Sequence, residues 1–186
     1  MESEPLGEVS VTTLRDGATV QLRRLGYADK DAVIELHDTL TDDERYLRFF
    51  TVHPAYLKTV ADKLTEDSGK DYALGAFLRL NDGAWYNYGA LVGVANYVVC
   101  DRPDTAEWAI VVAHNDHARG VGKALLRRLA QVARRNGIQH FVADVLTTNH
   151  QMLRVIDDAG LQPRHTGIED DVMHLEVNLA DIAELI

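Results

Sequence analysis

The sequence is short of cysteine, of positive charge and of long apolar runs, and each shortage closes off a class of protein. A single cysteine, Cys100, stands among 186 residues. No intrachain disulfide can form, so a disulfide-stapled secreted scaffold is excluded and a reducing compartment fits. A buried place as a small apolar residue is the expected role of that thiol. Lys and Arg number 19 against 29 Asp and Glu, a formal net charge of −10. A general nucleic-acid binder would carry a basic stripe; this balance favours a cationic partner such as an amine or a lysine-bearing surface. No stretch approaches the roughly 20 uninterrupted apolar residues of a membrane helix. The opening Met1-Glu2-Ser3-Glu4-Pro5 is acidic and polar, opposite in character to a secretory leader. These shortages predict a cytoplasmic protein that binds neither nucleic acid nor membrane.

What is present centres on one stretch, Thr105 to Gly137. A β-branched apolar run leads through a short polar loop to Arg119-Gly120-Val121-Gly122-Lys123, which opens directly into a helix. The first turn of a helix carries N–H groups without intrahelical partners and a partial positive charge. Glycines there let an anion approach the backbone. The spacing does not fit a Walker A loop, since Lys123 is followed by Ala124, nor a dinucleotide fingerprint, since Leu125 stands where a third glycine belongs.

Along the chain, residues 1–12 read as a flexible tail and residues 13–186 as one domain. Strands are predicted over Ala18–Leu25, Tyr72–Leu80, Trp85–Cys100, Thr105–Val112, His140–Leu146, Leu161–Thr166 and Asp171–Leu179. Helices are predicted over Ala28–Thr39, from the capping box Thr41-Asp42-Asp43-Glu44 through Phe50, over Tyr56–Leu64, Val121–Arg135 and Asn149–Ala159. His53-Pro54 breaks the second helix, and Asn81-Asp82-Gly83 turns a hairpin. The balance is α/β, a mixed and mostly antiparallel sheet of about seven strands flanked by helices, with one parallel crossover from Thr105 to Leu146. Trp85, Tyr86 and Tyr88 read as hairpin packing, and the Arg/Lys face of the long helix as a solvated surface.

These residues, taken in order, resemble the GNAT superfamily of acyl-CoA-dependent N-acyltransferases. The diphosphate motif of that superfamily runs Q/R-x-x-G-x-G/A. Here His117-Ala118-Arg119-Gly120-Val121-Gly122 departs at the first position and matches at the others. Tyr46-Leu47-Arg48-Phe49-Phe50, Ala106-Glu107-Trp108-Ala109 and Asn149-His150-Gln151-Met152-Leu153-Arg154 are similar to the catalytic domain of bacterial Pat-type protein-lysine acetyltransferases. No nucleotide-sensing domain precedes them here, so the cyclic-nucleotide regulation of some relatives is not expected.

The resemblance implies acetyl-CoA as co-substrate and an amine or protein-lysine acceptor; no metal is expected. It implies that the organising strand splays, after a bulge, from the strand following the long helix. The pantetheine arm would lie in the gap like an added strand, bonded by backbone groups around Val111, those of Ile110 and Val112. His117, Ala118, Arg119, Gly120, Val121, Gly122, Lys123 and Ala124 would wrap the diphosphate, with Arg119 adding a charge. The basic start of the long helix could also meet the 3′-phosphate. Glu107 would be the base, since an ammonium of pKa about 10.4 must lose a proton before it attacks a thioester; the alternative is a solvent-facing strand glutamate. Asn149 would contact the arm, cap its helix, or do both. The position where many relatives carry a tyrosine acid holds Val155 or Ile156, leaving solvent to protonate the thiolate. Tyr46, Phe49 and Phe50 would line the acceptor pocket, although helical spacing alone assigns Leu47 and Phe50 to the core. His114, Asp116 and His117 offer a metal cluster on paper, but His-x-x-His spacing on a loop does not by itself give metal geometry, and they read as solvated loop residues. Three readings follow: a protein-lysine acetyltransferase, a small-amine acetyltransferase, or a non-catalytic acyl-CoA sensor.

Overall fold

The computed structural model describes residues 9–49, 57–79 and 88–182. The His53-Pro54 break, the Asn81-Asp82-Gly83 turn, Phe50, Trp85 and Tyr86 lie outside them. The strands are β1 (Ser10–Thr13), β2 (Thr19–Arg24), β3 (Tyr72–Arg79), β4 (Tyr88–Val99), β5 (Thr105–Val112), β6 (His140–Leu146), β7 (Arg164–Glu169) and β8 (Val172–Asn178). They form one sheet in the order β1-β2-β3-β4-β5-β6-β8-β7. Every neighbouring pair is antiparallel except β5 and β6, which are parallel. The strand missing from the sequence reading is β1, which takes residues 10–12 out of the expected tail. Four residues, Ser-Val-Thr-Thr, are too few to show a strand period, yet pairing Ser10–Thr13 with Leu22–Thr19 gives one edge of their backbone its partners.

The helices are α1 (Lys30–Asp38), α2 (Asp42–Phe49), α3 (Leu57–Thr65), α4 (Val121–Arg135) and α5 (His150–Asp158). The longest, α4, forms because apolar residues recur on one side while Arg and Lys take the other. Val121, Leu125, Leu126, Leu129 and Ala133 are fully buried, each large aliphatic contributing about 1.5–3 kcal/mol by leaving water. Gly137 stops the helix at φ +85, a left-handed conformation that glycine reaches without strain. With α5, α4 covers one face of the sheet, packing on Leu74, Tyr97, Trp108, Ile110 and Phe141. The other face is covered by α1 and α3, through Val33, Leu36, Ala61 and Leu64, against Phe77, Val94 and Val111. Cys100, expected to be buried, is half-buried just past the end of β4, where the chain turns out toward Asp101.

The expected capping box closes in full. Thr41 N–H donates to Glu44 Oε2 at 2.8 Å, and Glu44 N–H donates to Thr41 Oγ1 at 3.2 Å. It fixes where α2 begins and, with it, the direction of the Glu44 carboxylate.

Candidate acyl-carrier cleft

The ladder on the β6 side of β5 ends early. Thr105 pairs with His140, Ala106 with Phe141 and Glu107 with Val142, and no pairing follows. The ladder on the β4 side continues in a single register from Ala106 to Val112. The strands therefore part after Glu107. A cavity of about 350 Å³ opens there, with Trp108, Ile110 and Val112 on one wall and Ala143, Asp144 and Val145 on the other. The bulge implied by the resemblance is absent from the β4–β5 ladder: the gap arises because β6 stops pairing, not because β5 carries an extra residue.

Register decides which backbone groups face this gap. Cys100 N–H donates to the Thr105 carbonyl and Ala113 N–H to the Val92 carbonyl, both at 2.9 Å. These mark the hydrogen-bonded pairs of the antiparallel ladder, so Glu107, Ala109 and Val111 also bond to β4. Trp108, Ile110 and Val112 alternate with them and turn their N–H and C=O groups toward the β6 side. His117 Nε2, at 2.8 Å, meets the Val112 carbonyl on that side.

The gap ends at the glycine turn. Gly120 has φ +95 and ψ 9, a conformation strained for any residue with a side chain. A Cβ on Gly122 would lie 3.1 and 3.3 Å from the two methyls of Val155, so that glycine allows α4 and α5 to touch. Ala124 N–H already donates to the Gly120 carbonyl at 3.1 Å. The amides of Val121, Gly122 and Lys123 are the ones that no helical carbonyl can reach. Lys123, Arg15 and Arg154 line the same cavity.

The roof comes from α1's end and α2, with Leu40, Glu44, Leu47 and Arg48 over the cavity. Burial pushes the Arg48 guanidinium down to about 10, partly countered by the nearby Glu107 charge. Its Nη2 donates to Asn96 Oδ1 at 3.2 Å. Burial raises Glu44, but hydrogen bonds from Thr41 and His114 outweigh it, and the carboxyl lies below its ordinary range.

A model of the acetyltransferase (GNAT) family matches residues 35–160. The chain belongs to that family. An acetyltransferase of Pseudomonas aeruginosa is 26% identical over 147 residues, 78% of this chain and 76% of that protein. The GNAT domain of S. lividans PAT is 28% identical, with a TM-score of 0.78 over 91% of this chain and 96% of that one. A cAMP-binding acyltransferase from Mycobacterium smegmatis, at 22% identity and TM-score 0.60, shares the fold; 93% of this chain matches 48% of that one. The Salmonella typhimurium protein yncA, solved with its cofactor acetyl-CoA, shares the fold at 18% identity and TM-score 0.64.

In this GNAT chain the expected site residues divide. Ile110, Val111, Val112, His117, Gly120, Gly122, Lys123 and Asn149 all line the cavity. Val121 is fully buried, so only its amide is on offer, and Ala118 lies within the 3-10 turn His114–Arg119. Ala124 departs from expectation because its N–H is spent inside the helix. Arg119 departs in its side chain: Nε donates to Asp16 Oδ2 at 2.7 Å and Nη1 to Asp116, so the guanidinium braces the β1–β2 turn. Arg15, from that turn, takes its place at the cavity, bonded to Asp158 at 2.6 Å.

Glu107 is exposed at the last paired position before the gap and is not among the cavity's lining residues. Asn149 accepts from Met152 N–H at 3.0 Å, which makes it the cap of α5 as well as a wall of the cavity. Tyr46 is 47% exposed and Phe49 packs on His37, ring centroids 5.7 Å apart; neither lines the cavity, because the apolar face of α2 turns Leu47 inward instead. Phe50 lies outside the described residues. The sequence reading missed Glu44 and the pair Asp144–His174, whose Oδ1 and Nδ1 are 2.6 Å apart. The sign for Asp144 was a lone carboxylate in an otherwise apolar strand. His114 and His117 converge on Glu44, while Asp116 pairs with Arg119.

Proposed function

We propose that this chain moves an acetyl group from acetyl-CoA to a primary amine, with a protein lysine as the favoured acceptor. One observation carries the reading: β5 is bonded on a single edge beyond Glu107, and that open edge runs into a helix start with unpaired amides. The pantetheine arm adds to the open edge through Ile110 and Val112. The diphosphate takes the amides at the mouth of α4, with Lys123 and Arg15 supplying charge. The amine nitrogen attacks the thioester carbonyl, a C–N bond forms and the C–S bond breaks. Glu107 takes the ammonium proton directly or through one water. Val155 and Ile156 offer no acid, so solvent protonates the departing thiolate, whose pKa of about 8.5 makes that easy. The excess of acidic residues and the Pat-type motif set support a lysine-bearing acceptor over a small amine.

A second reading of the proton acceptor has its own support, since Asp144 lines the cavity and Glu107 does not. Thiol release from acetyl-CoA, measured with small amines, amino acids and lysine-bearing proteins, tests the proposal. Release with lysine proteins, accompanied by acetylated lysines in the product, is the expected result. Release only with small amines moves the acceptor class. Coenzyme A binding with no release for any acceptor above the hydrolysis rate makes the chain a sensor.

A further inference from the structure

We propose that Glu44, His114 and His117 form a binding site for a divalent transition-metal ion, zinc above all, at the rim of the cleft. The inference stands apart from the acetyl-transfer reading. The three residues come from two elements far apart in sequence, α2 and the 3-10 turn His114–Arg119. Glu44 Oε1 lies 2.8 Å from His114 Nδ1 and 3.6 Å from His117 Nε2. The three candidate ligand atoms all lie within 4.8 Å of one another. Tetrahedral zinc, with bonds of about 2.0–2.1 Å to nitrogen or oxygen, spaces its ligand atoms about 3.3 Å apart. The two Glu44 distances bracket that value, an exposed His114 ring can rotate to close the third, and His117 Nε2 gives up its proton and its hydrogen bond to the Val112 carbonyl to take the ion.

The chemistry of the donor set agrees. Two imidazoles and a carboxylate suit zinc, whereas magnesium and calcium take oxygen ligands. The carboxylate is oriented in advance: its Oε2 is held by Thr41 N–H in the capping box, which leaves Oε1 aimed at both rings. Asp116, the other carboxylate on that turn, is taken by Arg119 and is not a ligand. Glu44 and His117 line the cavity, so a three-ligand ion there keeps a coordination position open toward the cleft. An ion in this place ties the roof helix α2 to the loop that leads into α4.

Calorimetric titration of the full, tag-free, chelator-stripped chain with zinc chloride tests this, with the visible absorption of bound Co²⁺ as the reading of coordination geometry. The variants are His114→Ala, which removes an exposed ligand, and Glu44→Gln, which keeps the capping box but loses the charge. His150→Ala removes a histidine elsewhere, and circular dichroism confirms that each variant is folded. The proposal expects one zinc per chain, tetrahedral Co²⁺ bands, at least about 100-fold weaker binding in His114→Ala and in Glu44→Gln, and no change in His150→Ala. Absence of saturable binding, binding retained in either ligand variant, or binding lost in His150→Ala overturns it. None of these outcomes depends on thiol release.

Discussion

Strand β5 has two parts that bury the same face of the sheet, through Ala106 and then Trp108 and Ile110, and have different surroundings. Thr105–Glu107 is bonded to β4 on one edge and to β6 on the other, while Trp108–Val112 keeps β4 and loses β6. The buried face does not explain the difference, since Ala106, Trp108 and Ile110 all pack in the same core. The difference lies in β6, which diverges, and in α5, whose Met152 and Val155 enter the cavity wall. A sheet makes a binding edge by ending a ladder, and the unsatisfied backbone groups of the second half must then be met by water or a ligand. The first half supplies rigidity, and its last residue, Glu107, stands where the two regimes meet.

The sharpest way to break this comparison is to change the carboxylate on each side of the fork. Glu107→Gln is expected to lower turnover at neutral pH by about 10²–10⁴-fold with coenzyme A affinity unchanged, and Asp144→Asn to cost far less; steady-state kinetics and calorimetry check both. The reverse order assigns the proton to Asp144. Gly122→Val drives methyls into Val155 and Val112 at the closed end of the gap, and about 1–3 kcal/mol of stability should be lost, read by denaturant unfolding, together with most coenzyme A binding. Asn149→Ala should cost about 1 kcal/mol as a lost cap. Asn149→Asp keeps the cap but loses the amide N–H donors, so coenzyme A binding weakened in both variants with stability lost only in Asn149→Ala isolates the cavity-facing amide. The smallest effect lies away from the cleft. Burial pushes His37 below its ordinary pKa, with the Val33 carbonyl bond opposing and the Arg48 charge adding to it. The unfolded chain then binds the extra proton, so stability is full above the ordinary histidine value of 6.5 and declines as pH falls below it. His37→Leu should flatten that decline between pH 7 and pH 5, as measured by unfolding at each pH.

Periodicity and capping were enough to read β5, α4 and β6 to their end residues, because strong apolar patterns there meet glycines and turns at both ends. The glycine turn was legible for the same reason: its chemistry is backbone chemistry, and the residue types state where the backbone is open. The roof was not. The Thr41–Glu44 box says where α2 starts, but its rotation is set by packing, which places Leu47 and Arg48 over the cavity and leaves Tyr46 outside. The fate of Arg119 was hidden too, because Asp16 reaches it from a turn 103 residues away. Glu44 and His114, 70 residues apart, meet only once α2 lies across the end of β5. Short edge strands such as β1 carry too little pattern to register at all.

Amide hydrogen exchange along β5, with and without coenzyme A, tests the central claim most directly. Ala109 and Val111, bonded to β4, should exchange slowly in both states. Ile110 should exchange fast in the free protein and slow by about tenfold or more when coenzyme A saturates it, with Val112 following. If Ile110 and Val112 are as slow as their neighbours without ligand, or do not change while calorimetry records coenzyme A binding, the open edge of β5 is not where the carrier lies.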